Sequence, residues 1–303
     1  MSAMATRPAG TATRPAAGAP TVPAGTTRRR RPSGSRGLLY LFLVALTVMF
    51  ALPLLWAVTS SFKPRGDIFT YPPQPLPIPF TLENYTRLLE TQPFWGWFLT
   101  STVVAVLSTT LSVFVCSLAG FAFAKYRFRG KRMLFDVMFS SLAVPFAVIV
   151  VPLFVVLVKA GVTNVYFSLI VPWVAPAFGI FMMRQYVEQA VPDSILEAGR
   201  LDGASEFGLF LRVVVPLLRP ALGALAVWSF LNSYNSFFWP LIVVSDPAQY
   251  TLPLGIQALY GAEGRQVDMV LAGSVLAAVP SLIMFLLLRK QLLDGLTAGA
   301  VKS

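Results

Sequence analysis

The sequence predicts an all-α polytopic membrane protein with six transmembrane helices, and three observations carry that prediction. Of its 303 residues 56% are hydrophobic and only 12% charged, with a mean hydropathy of +0.69, far from the composition of soluble domains. Six stretches, at about 38–60, 98–124, 133–158, 164–187, 214–236 and 269–288, supply the roughly 20 predominantly apolar residues that a crossing needs. Basic residues gather on one side of this pattern: Arg28–Arg31 and Arg36 before the first stretch, Lys125, Arg127, Arg129, Lys131 and Arg132 after the second, Arg200 and Arg212 after the fourth, and Arg289, Lys290 and Lys302 after the sixth. By the positive-inside rule both termini and the even-numbered connectors face the cytoplasm, as an even number of crossings requires.

Residues 1–36 are rich in Ala, Pro, Gly, Thr and Arg and carry too little apolar surface to offset ordering entropy, so a disordered basic tail is expected. Its arginines act as a topogenic stop or as contacts to anionic headgroups of membrane lipid. The first helix and an outer connector fill 37–97. That connector is Pro-rich (Pro72, Pro73, Pro75, Pro77, Pro79) and then offers Thr81 to Leu89 as a short amphipathic helix beginning at Thr81.

The transmembrane core is expected over 98–290. Prolines at 145, 152, 172, 176, 216, 220 and 280 predict kinked helices. Gly120 with Ala124, and Gly273 with Ala277, are small residues at four-residue spacing that let helices approach closely. Ionisable residues within the stretches, Asp136, Arg184 and Arg219, fall near predicted cytoplasmic ends, and none lies at mid-membrane, where an ion-driven carrier or voltage sensor needs charge. The lone Cys116 excludes an intrachain disulfide and reads as a buried thiol. With no histidine, His-based zinc sites and His-assisted nucleophiles are excluded. A Gly-x-x-x-x-Gly-Lys-Ser/Thr loop is also missing, so any ATP is held by another chain. Nothing points to nucleic acid.

Two candidate sites emerge. On the predicted fifth helix Trp228, Asn232, Asn235 and Trp239 follow i, i+4, i+7, i+11, a face of two indoles and two amides. Amides and a flat indole suit a neutral polyol, and the same residues equally suit interhelical hydrogen bonding and interfacial packing. The connector 193–216 mixes both charge signs with glycine. Ser194-x-x-Glu197 has capping-box spacing, Asp193 adds charge at the helix start, and Gly203 interrupts the helix, so two short helices joined at a bend are expected. Ile195, Ala198, Gly199 and Asp202 share a face, open to a partner surface or simply to the membrane interface.

The run Glu197-Ala198-Gly199-x-x-Asp202-Gly203-Ala204, followed by Pro216 and Pro220, resembles the EAA loop of the permease subunits of binding-protein-dependent ABC importers. Gly199 departs from the alanine usual there. Ser61-Phe62-Lys63 and Leu82-Glu83-Asn84-Tyr85 are similar to hallmarks of the sugar-permease branch, in the segment exposed to the external binding protein. Gly-Leu-Thr-Ala-Gly-Ala-Val-Lys at 295–302 is similar to the terminal segment of MalG-type permeases, in the cytoplasmic tail 291–303. The resemblance implies the importer type I permease fold in the bacterial plasma membrane. It implies a second, MalF-like permease, two ATPase subunits and an external solute-binding protein as partners, with ATP and Mg on the ATPases and no cofactor on this chain. Glu197, Ala198, Gly199, Asp202, Gly203 and Ala204 would then couple to the ATPase, and the chain itself would be a permease, not an enzyme. The cargo implied is a sugar; a polyol or glycerol phosphate is the nearer alternative, and an ion-coupled carrier the more distant one.

Overall fold

The structure is a computed structural model that describes residues 33–162, 164–261 and 266–298, with side chains from Leu38 to Gln291. The expected tail through residue 32, with Arg28–Arg31, falls outside the described residues, as do residues 262–265 and the last five residues of the MalG-like terminus. Among the described residues every regular element is helical.

The chain divides into two units at Ala51. In the first the backbone is helical from Ser33, within the stretch predicted to be tail, and this helix, α1, runs into the second unit as far as Ser61. The second unit begins its own structure with α2 (Glu83–Thr91), a little after the predicted Thr81; Thr81 Oγ1 accepts the Glu83 N–H at 3.1 Å. Helix α3 (Phe94–Lys125) follows, unbroken for 32 residues.

Three helices, α1, α3 and α14 (Val267–Ala298), are each long and apolar enough to cross a membrane. The other three predicted stretches are broken pairs. The segment through α4 (Lys131–Ser140) turns by 113° into α5 (Phe146–Lys159), the one through α6 (Val165–Ile170) by 42° into α7 (Ala177–Ala190), and the third, preceded by the short helix α8 (Asp193–Leu201), begins with α9 (Glu206–Leu209) and breaks later. There a π-helical turn (Phe210–Val214) and α10 (Val215–Leu217) lead through an 84° bend into α11 (Arg219–Tyr234). Two further short helices, α12 (Phe238–Val243) and α13 (Leu252–Gly261), precede α14.

Proline accounts for these breaks selectively. Pro145 and Pro176 stand just before α5 and α7 with extended backbone (ψ 136° and 134°), and Val144 is extended as well, as the residue before a proline prefers. Pro220 sits in the first turn of α11, where its missing N–H costs nothing. Pro53, Pro152 and Pro280 lie inside helices that continue through them. The predicted kinks therefore occur where proline begins a helix.

The core forms where α3 crosses α7 and α11. A Cβ on Gly120 would lie 2.7 Å from the Arg184 backbone nitrogen, and one on Gly179 2.8 Å from Cys116 Sγ, so the helices meet nearly backbone to backbone, as the small residue at 120 predicts. Cys116 is fully buried there, as expected for the lone cysteine. Gly255 of α13 accepts the ring of Trp97, whose Nε1 donates to Pro247 O at 2.8 Å, and Leu252 N donates to Ser101 Oγ at 2.7 Å. Helix α13 is thus packed on α3.

Candidate functional site

The connector of charged residues and glycine is an elbow of two short helices. Helix α8 starts at Asp193 after an extended Pro192, so Ser194 lies inside the first turn and caps nothing; the expected capping box does not form. The helix ends in a Schellman arrangement. Gly203 (φ +80°) donates to Arg200 O and Ala204 N to Gly199 O, both at 3.0 Å, and the left-handed residue between is one that glycine supplies without strain. Gly203 ends α8 as the sequence predicts. Ser205 then caps α9, its Oγ accepting from Gly208 N at 3.1 Å.

One side of α8 holds the elbow down and the other is open. Leu196 is buried with Leu209 and Phe210 in the cluster that includes Phe121, Cys116 and Met183. A Cβ at Gly199 would lie 2.5 Å from Leu209 Cδ2, so the departure from alanine brings α9 closer to α8. On the open side Ile195, Ala198 and Asp202 are exposed and Leu201 is 89% exposed; Glu197, exposed as well, lies on the side of Asp193 and Arg200. Leu201 and Ile195 thus leave apolar surface on the same side of a short, otherwise polar helix, and it is this grouping, not one bare leucine, that is informative. Of the predicted coupling set, Ala198 and Asp202 face out, Glu197 is exposed beside Arg200 over the cavity behind α8, Gly199 faces α9, and Gly203 and Ala204 form the bend.

Charges brace the elbow against the end of α3. Lys125 Nζ meets Asp193 Oδ1 at 2.7 Å. Arg200 binds Glu206 through Nε to Oε1 at 2.7 Å and Nη2 to Oε2 at 3.2 Å, a forked pair, and the Tyr126 hydroxyl donates to the same Oε2. The Lys125 ammonium holds the Asp193 carboxyl below its usual range, and Arg200 followed by Tyr126 does the same for Glu206. Burial, then the Glu206 carboxylate, pushes the Tyr126 phenol up to about 12. A polar cavity of about 480 Å³ lies behind α8, lined by Lys125, Arg127, Lys131, Glu188, Glu197 and Arg200 among others.

The second candidate set does not share a face. Helix α11 ends at Tyr234, Asn235 is its C-terminal cap, and Trp239 belongs to α12. Trp239 is fully buried, its Nε1 donating to Ser168 O at 2.9 Å, because three non-helical residues after Tyr234 reset the helical phase. Trp228 packs on Phe178 with ring centroids 4.8 Å apart. Asn232 and Asn235 remain exposed; the Asn232 amide donates to Trp228 O at 2.8 Å. Of the four, the two amides are exposed and both indoles are packed against other helices.

The Ser61–Lys63 and Leu82–Tyr85 motifs turn out to bind each other. Asn84 Nδ2 donates to Ser61 O and Lys63 O, both at 2.8 Å, Tyr85 and Ser61 share a hydroxyl contact at 2.7 Å, and the Phe62 ring lies between those of Phe80 and Tyr85. Lys63 is 2% exposed, donates to Gln74 O at 2.6 Å and sits over the Trp56 ring. These hallmark residues form an internal lock, with Lys63 and Asn84 withdrawn from solvent. The sequence reading missed Asp268, 1% exposed in the first turn of α14, with Arg87 Nη2 at 3.0 Å and Arg65 Nε at 4.0 Å. An acid directly before an apolar run, with Arg65 just past the first motif and Arg87 just past the second, was the available signal.

Comparison with known proteins follows from this geometry. The family described as the binding-protein-dependent transport system inner membrane component matches residues 113–291, which include the elbow. The chain is 34% identical to the arabinooligosaccharides transport system permease protein AraQ of Bacillus subtilis, over 87% of this chain and 95% of that one. It is 31% identical to the diacetylchitobiose uptake system permease protein DasC of Streptomyces coelicolor, over 86% and 94%. Its fold is that of a chain from a bacterial ABC transporter involved in the import of the acidic polysaccharide alginate, with a TM-score of 0.74 at 21% identity over 88% and 99% of the two chains. The chain belongs to the family of binding-protein-dependent transport system inner membrane components.

Proposed function

We propose that this chain is a six-span permease subunit of a carbohydrate ABC importer in the bacterial plasma membrane, with both termini and the 193–205 elbow on the cytoplasmic side. Each bent pair then counts as one broken span beside α1, α3 and α14. The observation that carries the reading is the elbow itself: a capped helix, braced from behind, that holds Leu201, Ile195 and Ala198 out to solvent. Such a surface fits a cleft on an ATPase subunit. Two ATPases, a second permease and an external solute-binding protein complete the assembly. ATP and Mg reside on the ATPases, and this chain makes and breaks no bond in the substrate.

ATP closes the nucleotide-binding dimer, which drives the elbows together; the bundle opens outward, receives the solute from its binding protein, and returns after hydrolysis. Relatives named for arabinooligosaccharides and diacetylchitobiose support an oligosaccharide as cargo. The exposed Asn232 and Asn235 amides suit hydroxyl groups. Gly203→Pro replaces a residue at φ +80° with one held near −65° and removes the N–H that bonds Arg200 O; Glu197→Lys reverses an exposed charge beside Lys125, Arg127, Lys131 and Arg200. Both variants are expected to uncouple ATP hydrolysis from uptake while the protein stays in the membrane. Uptake of arabinooligosaccharide or diacetylchitobiose at the wild-type rate in both would count against coupling through the elbow, and uptake by this chain alone would count against an ABC importer.

A further inference from the structure

We propose that Lys125 and Tyr126, the last residue of α3 and its C-terminal cap, are the positioning residues that make the elbow and α3 move as one body. The inference rests on the elbow's being the driven element, and says where its motion enters the bundle.

Two consecutive residues hold both halves of the elbow. Lys125 takes Asp193 at the start of α8, and Tyr126 takes Glu206 at the start of α9, while Arg200 from the last turn of α8 closes the link on the same Glu206 carboxylate. Beneath this polar grip lies an apolar one. Phe121 of α3 packs at a tilt on Phe210, ring centroids 5.8 Å apart, and meets Tyr126 edge-on at 5.4 Å, and Phe114, two turns earlier, meets Phe210 at 6.4 Å.

The routes along the chain are poorer push-rods. From α9 toward α11 the backbone passes through a π-helical turn and an 84° bend at Leu218, and from α8 back toward α7 it passes through extended Val191 and Pro192. A helix with 3.6-residue hydrogen bonding transmits axial displacement; a wide turn and a sharp corner take it up locally. By contrast α3 is unbroken for 32 residues and packs against both α7 and α11. A displacement delivered through space at Lys125 and Tyr126 reaches the whole core.

Because these ion pairs are partly exposed, each adds little to global stability, and removing them leaves a folded protein in which only the linkage has changed. The test uses the assembled complex, with spin labels on Ser194→Cys in α8 and Leu99→Cys in α3, in a Cys116→Ser background. In the parent the label-to-label distance distribution is expected to be narrow and to shift by less than about 3 Å on ATP binding, below the roughly 5 Å of a one-turn slip. In Lys125→Glu with Tyr126→Phe the distribution is expected to broaden about twofold, with complex yield and melting temperature unchanged. Adding Asp193→Lys to Lys125→Glu alone is expected to restore the parent width. A parent distance that moves with ATP, variants as narrow as the parent, or yield falling in step with the broadening would each overturn the inference. If no ATPase accompanies the parent chain, the proposed function fails instead, and the nucleotide-free widths still decide whether the grip exists.

Discussion

The lock at 61–85 and the elbow at 193–206 are both short motifs that join helices, yet they spend their polar groups in opposite ways. In the lock, Lys63 and Asn84 are buried at 2% and 3% exposure and their donors go to backbone carbonyls of the same connector. In the elbow, the charged groups reach the neighbouring helix from positions open to water, and the outward face keeps bare apolar side chains. A motif that consumes its own hydrogen-bonding capacity builds a fixed platform. One that leaves a surface unused and braces it from behind is built to be pushed. The family match follows the same division, since it includes the elbow and begins after the lock.

The largest expected effect comes from breaking the lock. Asn84→Leu leaves the carbonyls of Ser61 and Lys63 without their shared donor, at about 1–3 kcal/mol for each buried group. Thermal unfolding in detergent should show a melting temperature lower by several degrees; an unchanged value would mean that the lock adds nothing to the fold. On the elbow, Leu201→Glu should do the reverse. Its side chain is 89% exposed, so stability should stay within about 0.5 kcal/mol, while ATPase recovered with the tagged chain falls at least about tenfold. Equal recovery would remove Leu201 from the docking face.

Smaller effects sharpen the contrast. Gly203→Ala must place a Cβ at φ +80°, for a cost of about 1–2 kcal/mol, and Gly203→Asn should cost less because asparagine tolerates that region. Gly199→Ala meets only the flexible end of Leu209, so a loss under about 1.5 kcal/mol is expected in the same melting assay. Smallest is the response to pH. Glu206 and Asp193 titrate below the ordinary carboxylate range, so their links are fully present above it and are lost as pH falls through the lowered values. Tyr126 titrates near 12, so its contribution persists up to pH 10 and is lost only above that. Between pH 6 and 9 the interspin width across the elbow and α3 should therefore stay constant.

The comparison also marks what a sequence can disclose. Apolar length and the bend at Gly203 were legible because each rests on a few adjacent residues. The 113° and 84° breaks were foreseeable only as kinks, since proline marks a helix boundary without giving the angle. The Trp228–Trp239 stripe misled because a helical period was carried past Tyr234, where the helix stops without a proline or a left-handed glycine to announce it. Asp268 and its arginines are 181 and 203 residues apart in the chain, and the partners of Lys63 become visible only once the Pro-rich connector has folded over it. The two lock motifs were legible as a pair typical of a family, while the inward turn of Lys63 and Asn84 was not, because it depends on how the two motifs fold onto each other.

The central claim is that the elbow stands on the cytoplasmic side and carries an ATPase on its open face. Leu201→Cys in a Cys116→Ser background, probed with a membrane-impermeant maleimide, tests it most directly. The account predicts no labelling in intact cells, labelling in inverted vesicles stripped of ATPase, and protection when the ATPase is bound. Labelling of Leu201→Cys in intact cells would contradict it.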